Sequence, residues 1–397
     1  MRVSEMKERE DFASLLHGTL SAGWSEQFGC EIRVSEESEP DSLAFRYHPI
    51  LGAYYTADLC EAGRRFLRQS IRFTPNRNRL LAQWFVTDLA GSRLGFKVLD
   101  KQGFHVHGPL AHANHLVVVP GNQRLRIFDF KRMKTRVLLK QGFDPSTMQR
   151  EIQLRSSSVD GPFWKIDAAS PDGSFLEEPI VGGWDVNRIP PWISRKKIQQ
   201  LARKRLLRWL ERTREEVSRD EYLETLVKRI HRSSREVEER FGHLNPHLES
   251  WCDGLRGDAG ALAETLETSL THGDFQWGNV FLRRGDETVL LIDWEHNGRR
   301  SFHYDFFTEA LGGRRGAGLA ARVKDYLGGQ SLASPLDGLG PVRRRGFLAI
   351  FLLETLLFFL QESLSGTYRN PSKGLLILEE ELQLLGPTLS GLQGGGG

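Results

Sequence analysis

Between Leu270 and Glu295 the chain reads LTHGDFQWGNVFLRRGDETVLLIDWE. A polar loop opened by His272–Gly273 leads into an apolar strand, a turn over 283–287, and a second apolar strand ending at Asp293. A hairpin returns its far end beside the loop that precedes it. Asp274, Asn279 and Asp293 are therefore expected to converge on one point. Two carboxylates and an amide so grouped suit phosphoryl transfer, in which the protein mainly positions groups and neutralises charge. Mg²⁺ takes hard oxygen ligands, usually one or two protein carboxylates plus phosphate oxygens. Asn279 and Asp293 offer such ligands, and Asp274 offers a base for an attacking hydroxyl.

Upstream, strand and helix signals follow one another from about residue 104. His115 to Val119, Arg124 to Phe130 and Arg136 to Lys140 read as three strands, with Pro120–Gly121–Asn122–Gln123 as a turn. Asp144–Pro145–Ser146 announces a helix over 147–154. Two further strands are expected at 163–167 and 174–176, giving the order β-β-β-α-β-β. Residues 1–103 read as a mainly helical extension, with amphipathic stretches at 8–20, 62–71 and 79–89. Tyr54–Tyr55 and Arg46 to Pro49 read as packing and turn residues. From 183 onward helices dominate, and Gly394 to Gly397 read as a disordered tail.

With 397 residues there is room for two or three domains. Hydrophobic residues at 39% and charged residues at 26% exclude collagen-like, mostly disordered and disulfide-scaffold chains. A net charge of +3 argues against a chain-wide nucleic-acid footprint. Cys30, Cys60 and Cys252 are odd in number and far apart, which fits a reducing, cytoplasmic setting. The run Phe347 to Leu360 contains Glu354 and is too short for a bilayer, so it reads as a core helix. His105, His107, His112 and His115 cluster without the cysteines or carboxylates of a metal site. Residues 195–240 carry 15 Lys/Arg against 9 Asp/Glu. A solvated helix face accounts for most of that excess, and an anionic substrate or membrane surface is the sharper reading.

HGDFQWGN followed by IDWE resembles the motif pair of the aminoglycoside phosphotransferase and choline kinase family. The resemblance implies an α+β, two-lobed protein-kinase-like fold, with a β-rich lobe over 104–182 and a helical lobe over 183–393. It implies ATP and Mg²⁺ as cofactors, Asp274 as catalytic base, and Asn279 and Asp293 as metal ligands. His272 and Asp305 would then support the catalytic loop. A kinase-like site also needs a third-strand lysine paired with a helix glutamate. Lys140 and Glu151 fit that order, with Lys134 as the rival in a turn. Gly121 and Asn122 are the candidates for a phosphate loop, since no GxGxxG is present. The connector 177–183 would meet the adenine edge, with Glu178 and Ile180 among its residues. The implied partner is a small-molecule hydroxyl acceptor, preferably a sugar or glycan. An atypical protein kinase and a nucleotide-binding pseudokinase scaffold are the alternatives.

Overall fold

Alternation of apolar and polar residues builds a nine-stranded antiparallel sheet from the first half of the chain. In the computed structural model its strands are β1 (Arg33–Ser35), β2 (Leu43–His48), β3 (Ala53–Tyr55), β4 (Phe104–His107), β5 (Leu116–Pro120), β6 (Arg124–Asp129), β7 (Lys134–Leu139), β8 (Ala168–Ala169) and β9 (Phe175–Pro179). They lie in the order β1-β4-β2-β3-β5-β6-β7-β9-β8. The structure describes residues 6, 10–48, 52–71, 103–157, 160–190, 192–243, 245–330, 335–366 and 368–390. The helix expected at 79–89 and the glycine tail lie outside the described residues.

Successive side chains of a strand face opposite ways, so register decides which residues share a face. Leu138 of β7 faces α1 (Phe12–Phe28), together with Leu125, Ile127 and Val118, against Leu16, Leu20 and Trp24. α1 starts at Asp11, whose carboxylate accepts from the Ser14 amide at 3.5 Å, and stops at Gly29, where φ is +64°. The opposite face carries Val137 and Leu139, which pack on Met148 and Ile152 of α3 (Ser146–Ser156). On that same face, Phe128 and Val117 pack with Phe66 and Leu67 of α2 (Glu61–Ile71). Burying one leucine-sized side chain in such a layer stabilises the fold by about 1.5–3 kcal/mol.

Several local expectations are corrected here. Residues 33–55 form three strands of the same sheet between the helices 12–28 and 61–71, so the described residues before 72 are mixed helix and strand and join the sheet. Tyr54 lies on a strand because it pairs with Val118 of β5, a long-range contact that local periodicity cannot show. Lys134 opens β7 opposite Asp129 instead of sitting in a turn. Residues 163–167 hold no strand, and only Ala168–Ala169 pair with β9.

The chain divides into two compact units, Met1–Ala202 with Val280–Ile292, and Arg203–Asn279 with Asp293–Gly397. The first unit also holds β10 (Gly183–Asp185), which pairs with β13 (Val280–Arg283), itself paired with β14 (Val289–Leu291). α4 (Arg195–Arg212) carries the chain from the first unit into the second. The second is mainly helical: α5 (Arg219–Phe241), α6 (Leu248–Ala259), α7 (Tyr304–Ala310), α8 (Leu319–Leu327), α9 (Pro341–Leu364) and α10 (Lys373–Ser390). A small sheet of β11 (Glu215–Ser218), β12 (Thr265–Thr271) and β15 (Gly298–Ser301) accompanies them. The run 347–360 forms the centre of α9, buried against α5 and α6. That helix is long and apolar enough to cross a membrane by length and composition, and 83% of its apolar window is buried in the fold. Glu354 is tolerated inside it because three donors meet its carboxylate: the Tyr222 hydroxyl at 2.5 Å, the Ser301 amide at 2.6 Å and the Ser301 hydroxyl at 2.7 Å.

Candidate active site

The loop that leaves β12 is fixed by one fully buried carboxylate. Asp305, in the first turn of α7, accepts from the backbone N–H of His272 at 2.7 Å and of Gly273 at 2.9 Å. Burial pushes the Asp305 carboxyl up, and the neighbouring His272 with these two N–H groups offsets that only in part. Gly273 has φ +83°, and a Cβ there would come within 1.9 Å of the His296 carbonyl oxygen. Glycine is required at that position for both reasons. The His272 ring is buried with its centroid 4.6 Å from that of Trp294, and its Nδ1 accepts from the Asp274 N–H at 3.3 Å.

Asp274 is thereby presented with defined partners. Asn279 Nδ2 donates to its Oδ2 and to its carbonyl oxygen, both at 2.9 Å. Gln276 donates to Oδ2 at 3.0 Å, and Arg314 Nε donates to Oδ1 at 3.2 Å. A carboxylate offers about four lone-pair sites. Three donors leave one for an incoming hydroxyl. Arg314 also donates to the Gly273 carbonyl and to the Tyr304 hydroxyl, and its guanidinium stacks 3.2 Å from the Phe358 ring centroid. The sequence reading missed Arg314, which lies forty positions from Asp274 in a Gly/Arg-rich stretch without a local signal.

Asn279 and Asp293 flank the β13–β14 hairpin. Val280 pairs with Leu291, so the register brings the two flanking segments to the same end of it. The Asn279 amide nitrogen is committed to Asp274, which leaves its Oδ1 as the atom for a cation. Asp293 has φ +63° and ψ 58°, a left-handed conformation that Asp adopts more readily than most residues. This donor set is all oxygen, as a hard divalent cation requires.

The cation assigned to the strands needs correction. Lys140 and Glu151 do not pair. Strand alternation puts Lys140 on the α1 side, where its Nζ meets Glu10 Oε1 at 2.5 Å and the Asn122 carbonyl at 2.8 Å. Glu151 of α3 lies on the other face, together with Arg124, which stands opposite Leu139. Its carboxylate binds Arg124 and, at 2.8 Å, Arg155. Arg155 continues to Glu178 at 2.5 Å, and Glu178 also accepts from the Trp164 indole at 2.8 Å. Burial pushes the Glu151 carboxyl up, but the two guanidinium groups outweigh it and hold it below the usual glutamate value. Arg124 and Arg155 were not singled out in the sequence, because their pairing follows from strand parity.

The turn after β5 is closed by the Gly121 N–H donating to the Arg124 carbonyl at 2.7 Å, and Asn122 supplies the carbonyl that Lys140 binds. Ile180 donates to the Met133 carbonyl at 3.0 Å and prolongs the β7–β9 ladder. The histidines of 105–115 make separate contacts: His105 with Ser42, His107 with Ser35 and Glu39, and His112 with Lys131.

No family model matches this chain, and no curated protein matches it. Among solved structures it is similar to a choline/ethanolamine kinase family protein from Mesorhizobium loti. The identity is 15%, covering 71% of this chain and 88% of that one, with a TM-score of 0.40. It is also similar to a Plasmodium vivax ethanolamine kinase, at 12% identity over 84% and 96% of the two chains, with a TM-score of 0.43. A thermostable mutant of an aminoglycoside phosphotransferase aligns at 11% identity over 70% and 95%, with a TM-score of 0.42. At these scores the functional reading rests on strand order and loop geometry.

Proposed function

We propose that this chain is an ATP- and Mg²⁺-dependent small-molecule kinase with a protein-kinase-like architecture. The observation that carries the reading is the loop 272–279. It is held at two backbone N–H groups by Asp305, and it presents Asp274 and Asn279 already bonded to each other. The order β5-β6-β7-α3-β8-β9, in which β7 pairs with β9, supports it as the β-β-β-α-β-β block expected of such a kinase.

In the reaction the acceptor oxygen attacks the γ-phosphorus, the bond to the β-phosphate oxygen breaks, and ADP departs. Asp274 takes the acceptor proton at its remaining lone pair. Asn279 and Arg314 hold that carboxylate in place, which contributes positioning of the kind phosphoryl transfer depends on. Asn279 Oδ1 and Asp293 would hold Mg²⁺, which would supply neutralisation of phosphate charge. Arg124, braced by Glu151, replaces Lys140 as the strand cation assigned to the phosphates. The acceptor is a hydroxyl compound, with a sugar or glycan preferred on the form of the HGDF and IDWE motifs. The three free cysteines fit a reducing, cytoplasmic setting.

The test is phosphate transfer from ATP and Mg²⁺ to a panel of sugars, glycans, aminoglycosides, choline-like amines and generic proteins, with Asp274→Ala alongside. Transfer to one acceptor class, lost in the variant, is expected. A wild type that neither transfers phosphate nor binds ATP overturns the reading.

A further inference from the structure

Most partly or fully buried arginines described above have a carboxylate partner: Arg124, Arg136, Arg155, Arg203 and Arg314 each make an ion pair. Arg300, whose Nη1 lies against Gly273, and Arg229, exposed on α5, do not. Among the described residues neither Arg300 nor Arg229 lies within 4.0 Å of a carboxylate. Arg300 uses one nitrogen, Nη1, to donate to the Thr271 hydroxyl at 2.8 Å and the His296 carbonyl at 3.0 Å. That nitrogen lies 2.8 Å from where a Gly273 Cβ would stand, so Arg300 rests against the residue preceding Asp274. Its guanidinium also lies 4.9 Å from the Tyr304 ring centroid, and Tyr304 is bonded to Arg314.

Arg229 is exposed on α5, two turns beyond Tyr222 on the same helix face. Tyr222 binds Glu354, which also binds Ser301, the neighbour of Arg300. Partial burial and then the Arg300 charge hold the Arg229 guanidinium below its ordinary value, which places the two cations within electrostatic reach of each other. The nearby acids have other direct donors, three on Glu354, two N–H groups on Asp305 and three on Asp274, and the Arg300 charge acts on Glu354 and Asp305 without an ion pair.

Building on the kinase reading, we infer that the acceptor carries its own anionic group, a phosphate or a carboxylate, which Arg300 and Arg229 receive beside Asp274. Guanidinium groups match the planar, multidentate geometry of both anions. This also gives a role to part of the basic excess of residues 195–240, where Arg229 lies.

The experiment uses the full chain with three matched acceptor sets: neutral hexoses, hexose phosphates and uronic acids. Transfer is measured at saturating ATP·Mg²⁺, and acceptor binding is measured separately by calorimetry without nucleotide. One anionic set is expected to be preferred, and which one it is separates phosphate from carboxylate recognition. Arg229→Ala, at an exposed position, is expected to raise KM for that set by about 10- to 100-fold, the weight of charge-assisted hydrogen bonds. KM for ATP should stay unchanged, and Arg229→Lys should recover part of the loss. Equal or better use of neutral hexoses, or an Arg229→Ala effect of the same size on neutral and anionic acceptors, overturns the inference. So does a failure of every anionic sugar to bind more tightly than its neutral match. If anionic sugars bind and Arg229→Ala abolishes the binding while no phosphate is transferred, the anion site stands and the kinase reading falls.

Discussion

Glu151 in the β-rich unit and Asp305 in the helical unit are both fully buried carboxylates, and their charges are met in opposite ways. Glu151 lies between two guanidinium groups, and its carboxyl is held below the usual value. Asp305 is fully buried, and burial keeps its carboxyl above the usual value although the neighbouring His272, two backbone N–H groups and the Arg300 charge oppose it. Two guanidinium groups in direct contact over-compensate the loss of water, whereas two peptide dipoles helped by charges without an ion pair do not. The first arrangement gives the sheet a fixed ionic network. The second leaves a costly charge in place whose benefit is the geometry of residues 272–274.

The largest effect expected from breaking the second arrangement lies in the residue it positions. Asp274→Ala should lower phosphate transfer by about 10²–10⁴-fold, the usual weight of a general base, with an unchanged melting temperature. Steady-state transfer assays and thermal unfolding of the same sample check both halves. Next comes the first arrangement. Glu151→Ala leaves Arg124 and Arg155 buried without their shared counter-charge and should destabilise the fold by about 3–5 kcal/mol, read by urea unfolding. Replacing Lys140 and Glu10 together by Met and Leu should be close to neutral, because both members of that buried pair leave at once. In the same variants KM for ATP should rise about tenfold or more with Arg124→Met and remain near wild type with the Lys140/Glu10 pair removed. A reversal of that order would return the phosphate role to Lys140.

Asp305→Asn should cost about 1–3 kcal/mol, since its amide nitrogen meets one loop N–H donor to donor, and should lower kcat more than it raises KM for ATP. The smallest effect is in pH dependence. A carboxylate with a depressed folded value contributes stability above the free glutamate value, and this is lost as pH falls through the depressed one. The stability gap between wild type and Glu151→Gln should therefore be widest at neutral pH and close in acid. Asp305 has the opposite sign: its contribution is present below the free aspartate value and disappears as pH rises through its raised one.

The same contrast governs what could be read from sequence. His272, Gly273, Asp274 and Asn279 lie within eight residues, and the hairpin that returns Asp293 is a local structure. The bonding of Asp274 to Asn279 and His272 was legible because short-range geometry determines it. The β-β-β-α-β-β order was legible in outline, although its fourth strand is Ala168–Ala169 and not 163–167. The cation on the sheet was not, since Arg124 and Lys140 differ only in which face their strand parity selects, and parity is set by β6–β7 register. β1 to β3 were missed because strands this short are fixed by partners far along the chain, such as Val118 for Tyr54 and Val106 for Leu43. Arg314 was missed because it reaches Asp274 through tertiary packing on Phe358.

The hairpin 280–292 belongs to the β-rich unit although the residues on either side of it belong to the helical one. The chain therefore passes from one unit to the other three times, at 202/203, 279/280 and 292/293. No single cut separates the units. A fragment ending at residue 202 would leave β10 without β13, exposing an unpaired strand edge that invites association with other chains. Dissecting this protein calls for a permuted or covalently linked design in which 280–292 is supplied to the first unit, and residues 279 and 293 are the natural points at which to join it.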